Sequence, residues 1–259
     1  MEINIEKAKE EFIKYTEKFN LEDENVKRKQ QHSIRVMEIS KQIATNLKLN
    51  EEQIQLATLI GLLHDIGRFK QYTEIGLGDN LEGFDHGDYG AKVLFEEELI
   101  RKFIETNKYD EIIKKSIKNH NKFSIEAGLT QEELLFAKLI RDADKIDILY
   151  ESLYIFYKNN EEQVSESTLA NKIYVQFKKG ELIKKEKNVR LKFIDDITCV
   201  IAFVYDINYK TSFEIIKEKD YINKILDRYN FKDKSTKEKV DEIKKLANEY
   251  IKEKTMEEK

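Results

Sequence analysis

At 259 residues the chain can bury a substantial core, and 40% hydrophobic against 37% charged residues excludes a disordered chain. The formal charge of −4, with both signs interspersed, gives no basis for specific binding to nucleic acid or to an anionic membrane. No proline and only nine glycines point to a chain dominated by helices.

The segment Met1-Glu2-Ile3-Asn4-Ile5-Glu6-Lys7 is partly acidic and lacks the apolar core of a signal peptide. No run anywhere approaches the ~20 apolar residues of a membrane helix. Residues from about 3 to 19 predict an amphipathic helix, with Ile5, Ala8, Phe12, Tyr15 and Phe19 at three- and four-residue steps. A second helix runs from about 26 to 48, with Val36, Ile39, Ile43 and Leu47 on one face. His32, four residues before Val36, falls on that inward stripe. Asn50 then caps a third helix, Gln53 closes the capping box, and Leu49 staples to Ile54. This helix carries the apolar run Leu56-Ala57-Thr58-Leu59-Ile60-Gly61-Leu62-Leu63 and ends in His64-Asp65, with Ile66-Gly67-Arg68 as its stop. Seven of the nine glycines fall between Gly61 and Gly90, and residues 68 to 85 keep no helical period, so they read as an ordered loop over a site.

Asp85 caps the next helix, which places His86 in its first turn and continues through Val93-Leu94-Phe95 to Phe103. A helix from about 110 to 122 puts Ile113, Ser116, Ile117 and His120 on one face. Thr130 and Glu133 form a second capping box, opening a long helix to about 157 with Ala137, Ile140, Asp144 and Ile148 on one stripe. Residues 159 to 187 are polar and contain the ambiguous run Ile173-Tyr174-Val175-Gln176-Phe177. Helices follow at about 189–206, 210–218, 220–229 and 235–254. The single cysteine, Cys199, lies in the apolar stretch Thr198-Cys199-Val200-Ile201-Ala202-Phe203-Val204 and reads as a core thiol. One cysteine excludes an internal disulfide and fits a reducing cytoplasm.

A buried apolar helix that ends in an imidazole and a carboxylate needs compensation, because burying such groups unpartnered costs several kcal/mol. Alone, a histidine on an apolar face is ordinarily a hydrogen-bonded core residue, and Asp144 alone would pair with Arg141 or Lys145. Yet His32, His64, His86 and His120 are all the histidines of the chain, and the stretch after 120, more than half its length, contains none. Together with Asp65 and Asp144 they make a donor set suited to a divalent transition ion.

The order His32, His64-Asp65, Asp144 on separate helices resembles the HD-domain metal-dependent phosphohydrolase superfamily over about residues 25 to 155. The matching segments are Leu62-Leu63-His64-Asp65-Ile66-Gly67-Arg68-Phe69 and Arg141-Asp142-Ala143-Asp144-Lys145-Ile146-Asp147. His86 and His120 fall where the dinuclear members carry two extra histidines. The resemblance implies that Asp65 bridges two metals, with His32, His64 and Asp144 completing one site and His86 with His120 the other. It also implies a phosphate contact by Lys145, for which a solvent-facing lysine is the plain alternative. Arg68 is a candidate bidentate phosphate contact or, failing that, a surface arginine or ion-pair partner of Glu74. Asp85, Asp88, Asn121 and Asp147 are candidates to orient the histidines.

The expected fold is an all-α HD-domain helical bundle with additional C-terminal helices packed on it. It is expected as one domain over residues 1–259, with the HD core at about 25–155 and a helical extension at about 156–259. The expected activity is metal-dependent phosphohydrolysis of a phosphate ester or anhydride, in a nucleotide or other small phosphorylated metabolite, through a hydroxide bridging two ions about 3.5–4 Å apart. The ions would be Fe, Mn, Zn, Co or Ni. No Ser or Cys nucleophile motif competes with this chemistry. The Gly-Tyr-Pro signature of the cyclic-dinucleotide branch is ruled out, since the chain has no proline. The alternatives are a di-iron oxygenase on the same ligands and a non-catalytic nucleotide-binding sensor.

Overall fold

The computed structural model describes residues 3–74, 84–184, 191 and 193–257. Every regular element among them is a helix, as the composition and periodicity predict. The chain divides into two compact units, Met1–Asp144 and Lys145–Lys259.

In the first unit, α1 (Ile5–Thr16) starts where the Asn4 side chain accepts from the Lys7 amide. Asp23 likewise caps α2 (Glu24–Asn46), and the full Asn50–Gln53 capping box opens α3 (Glu51–Leu63). All eight residues of Leu56–Leu63 on α3 are buried, which explains why this helix is apolar all round. It packs chiefly against α2, at a crossing that leaves no room for a side chain at residue 61. A Cβ on Gly61 would lie 2.6 Å from Ser40 Oγ and 2.9 Å from the Val36 carbonyl.

The chain does not stop at Ile66-Gly67-Arg68. It turns a corner at His64-Asp65 and continues as α4 (Ile66–Glu74), which corrects the predicted loop over residues 68–74. Of the rest of that expected loop, Phe84 and Asp85 are non-helical and 75–83 lie outside the described residues. Gly67 looked like a helix breaker, but it serves a close helix contact. A Cβ there would come within 2.7 Å of the Gly90 nitrogen and 2.8 Å of its Cα, on α5 (His86–Phe95). Asp85 caps α5 by accepting from the Asp88 amide, as predicted. That helix ends at Phe95 rather than Phe103. Three successive glutamates follow, Glu98 adopts a left-handed backbone (φ 57°), and Leu99–Lys102 form only a 3₁₀ turn.

The unit is completed by α6 (Asp110–Asn119) and by the first part of α7 (Gln131–Tyr154), whose Thr130–Glu133 capping box is formed. Arg141 on α7 is buried, and its guanidinium donates to the carbonyls of Asn119 (2.8 Å) and Lys122 (2.6 Å). It thereby satisfies carbonyls at and just beyond the α6 C-terminus that the helix leaves unpaired. This is also why Arg141 is not the partner of Asp144.

The second unit contains α8 (Glu161–Glu166), α9 (Asn171–Phe177), α10 (Phe193–Ile201), α11 (Lys210–Lys219), α12 (Tyr221–Asp227) and α13 (Lys234–Met256). The ambiguous run 173–177 is thus helical, with Ile173 and Phe177, four apart, as its buried face. Within this unit α13 packs on α9, α11 and α12, and Cys199 is buried in α10. No helix among the described residues is long and apolar enough to cross a membrane.

Candidate metal centre

The six donors predicted from sequence arrive from five places in the first unit. His32 sits mid-way along α2, Asp144 on α7, His86 at the first position of α5, and His120 at the end of α6. His64 and Asp65 form the corner between α3 and α4. His32 and His64 are fully buried, and His120 and Asp65 nearly so.

Two of the histidines are aimed by the helices they terminate. His64 Nδ1 donates to the Gly61 carbonyl at 2.8 Å, and His120 Nδ1 to the Ile117 carbonyl at 2.6 Å. Carbonyls in a last helical turn lack an intrahelical partner, so this use of them is inexpensive. It fixes the tautomer that leaves Nε2 unprotonated, the form a metal requires. His86 opens its helix and has no such carbonyl behind it; its Nδ1 lies 3.2 Å from the Asn121 amide nitrogen instead. Asp85 and Asp88 take the Lys122 ammonium, at 2.7 and 2.5 Å. Of the candidate orienting residues, Asn121 therefore touches a histidine and Asp88 faces lysine. Asp147 is buried and belongs to the second unit.

The donors fall into two sets that share one residue. In the first set, His32 Nε2 lies 3.2 Å from both His64 Nε2 and Asp144 Oδ1, and His64 Nε2 lies 3.7 Å from Asp144 Oδ1. Asp65 Oδ2 stands 3.6 Å from His32 Nε2 and 3.6 Å from His64 Nε2. In the second set, His86 Nε2 and His120 Nε2 are 3.1 Å apart, and Asp65 Oδ1 stands 3.7 and 3.6 Å from them. Each oxygen of Asp65 thus faces a different set. Oδ1 is buried and accepts no hydrogen bond.

These spacings fit divalent ions. Metal–ligand bonds of about 2.0–2.2 Å place neighbouring donor atoms roughly 3.0–3.6 Å apart in tetrahedral or octahedral coordination. A carboxylate oxygen buried without a donor beside two imidazole nitrogens makes chemical sense as a ligand and poor sense as core packing. His32–His64–Asp144 and His64–Asp65–His120 are both clusters able to hold an ion among the described residues.

The electrostatics keep His64, His86, Asp65 and Asp144 in their ligating forms. Burial pushes the His64 imidazole below its ordinary range, and burial together with the Arg68 guanidinium does so more strongly for His86. Burial alone would raise the Asp65 carboxyl, but the Lys29 ammonium and the surrounding imidazoles hold it well below the usual range. Asp144 is held down in the same way, against its burial, by His32 and His64.

Arg68, in the first turn of α4, is buried, with Nη1 on the Gln71 side-chain oxygen at 2.9 Å and Nε 3.7 Å from Asp65 Oδ1. It is neither a surface arginine nor bonded to Glu74, which accepts from the Tyr89 hydroxyl. Lys145, in the second unit, places its ammonium 2.9 Å from Asp206 and over the Phe203 ring rather than in solvent. The residue that sequence reasoning missed is Lys29, whose ammonium donates to Asp65 Oδ2 at 2.6 Å. The available signal was its position one helical turn before His32, on the same face.

Residues 30–149 match the HD domain family, and all six donors lie inside that span. No curated protein and no solved structure matches the chain. The matched segment, just under half of the chain, is thus similar to the HD domain, and it contains the paired histidine–aspartate clusters.

Proposed function

We propose that this chain hydrolyses a phosphate ester or anhydride of a nucleotide or other small phosphorylated metabolite, with Asp65 joining two divalent ions. The observation that carries the reading is the division of the Asp65 oxygens between two imidazole sets. His32, His64, Asp144 and Asp65 Oδ2 would hold one ion; His86, His120 and Asp65 Oδ1 would hold the other. Bound there, such ions supply Lewis acidity to a phosphoryl oxygen and make hydroxide available from water near neutral pH.

The chain's own residues do the rest. Burial keeps the His64 and His86 imidazoles neutral, and the Gly61 and Ile117 carbonyls fix the orientation of His64 and His120, so these donors need little rearrangement to ligate. Arg68 brings a permanent positive charge to the Asp65 Oδ1 side, and it is the proposed partner of the substrate's phosphoryl group. The HD resemblance implies the same contact for Lys145. Its pairing with Asp206 makes Arg68 the first candidate. No observation favours the oxygenase or the sensor reading over hydrolysis.

The test is a phosphate-release screen over nucleotides and sugar phosphates, run with Mn, Co, Fe, Ni, Zn and Mg in turn. Release that requires an added transition ion is expected for at least one substrate class. Nucleotide binding with no turnover under any metal would favour the sensor, and oxygen uptake without phosphate release the oxygenase.

A further inference from the structure

Lys29 and His32 are three residues apart on α2 and project from one face. The Lys29 ammonium donates to Asp65 Oδ2 at 2.6 Å, and that oxygen is the one standing 3.6 Å from both His32 Nε2 and His64 Nε2. The side chains of Lys29 and Asp65 are only 12% and 3% exposed, so water screens the pair weakly. The ammonium therefore occupies the oxygen through which Asp65 would serve the His32–His64–Asp144 ion. Oδ1, on the other side of the same carboxylate, accepts no hydrogen bond, and the cation nearest it, Arg68 Nε, stands back at 3.7 Å. The two ion positions are thus unequal in a way their ligands alone do not suggest.

We propose that Lys29 is a positioning residue and built-in counter-cation. It holds Asp65 in place until a divalent ion enters the His32–His64–Asp144 set, and it sets that ion's affinity by competing for Oδ2. This rests on the two-ion reading above. An ammonium and a divalent ion sharing one shielded carboxylate oxygen repel each other strongly, so the ion binds only by displacing the lysine or by bearing that repulsion. Removing the charge should tighten the equivalent of metal that enters the His32–His64–Asp144 set, whereas removing an ordinary structural ion pair should loosen it.

The experiment titrates Co(II) alone into the metal-free full-length chain, with visible absorption and a competing chromophoric chelator as the readout. Lys29→Met removes the charge and keeps the aliphatic stem, Lys29→Gln keeps a neutral donor, and Lys29→Arg keeps the charge. Circular dichroism checks that each variant is folded. One of the two equivalents is expected to bind about tenfold tighter or more in the Met and Gln variants, and both within about threefold of wild type in Lys29→Arg. Unchanged or weaker binding in a folded Met or Gln variant overturns the proposal. Failure of the wild-type chain to bind Co(II) at all would overturn the two-ion reading instead, so the two failures are distinguishable.

Discussion

Asp65 works as a hinge between the two donor sets because both its oxygens are committed, Oδ2 toward His32 and His64 and Oδ1 toward His86 and His120. Its replacement by alanine is expected to abolish phosphate release and lower metal content from two equivalents to one or none, with helicity retained. His86→Ala and His120→Ala each remove a ligand from one set only and are expected to leave about one equivalent. Metal analysis of the purified variants checks both, and two equivalents in all three would dismiss the bridging assignment. A pH dependence follows from the imidazoles. Folding lowers the pKa of His64 and His86 below 6.5, so between 6.5 and those lowered values the unfolded chain binds more protons than the folded one. Stability of the metal-stripped protein should therefore fall as pH drops through 6.5, read as a lower denaturation midpoint at pH 5.5 than at 7.5. An unchanged midpoint would mean that these imidazoles titrate normally. The histidines and the two aspartates were legible in the sequence because all four histidines fall between 32 and 120, three of them on or at the start of helix faces that look buried. Lys29 was not. It is one of 46 Lys and Arg residues, and its partner oxygen belongs to a different helix junction.

At the scale of elements, the capping chemistry carried most of what could be read. Asn50–Gln53, Thr130–Glu133 and Asp85 start their helices as predicted, since each cap is a local interaction within four residues. The corner after Asp65 was misread because glycine has two uses and sequence shows only one. Gly67 admits the close approach of Gly90 rather than ending a helix. That approach brings the start of α4, just after Asp65, against α5, whose first residue is His86. Gly67→Ala would put a methyl 2.7–2.8 Å from the Gly90 backbone, where no flexible side chain can yield. A destabilisation of about 1–3 kcal/mol is expected from forcing such helices apart. Chemical denaturation measures it, and a neutral effect would show that the contact is slack. The helix at 173–177 could not be decided from a five-residue apolar run, which serves strand and helix equally. Its burial at i and i+4 settles it.

Over the whole molecule, all six donors belong to the unit Met1–Asp144 and none to Lys145–Lys259. An ion that binds only the folded form stabilises it, by about 2.7 kcal/mol at a free concentration a hundred times its Kd. Added metal should accordingly slow amide exchange in α2, the α3–α4 corner, α5, α6 and the start of α7, and leave α11 to α13 unchanged. Hydrogen-exchange mass spectrometry with and without Co(II) reads this, and protection spread equally over both units would contradict it. The central claim, two ions joined by Asp65 for phosphoryl hydrolysis, is tested most directly by titrating metal-stripped protein with Co(II) while following phosphate release from the best substrate of the screen. The expected result is no release without metal and a rate that climbs until about two equivalents per chain are bound. Full activity in the stripped protein, or a rate that saturates at one equivalent, would contradict it.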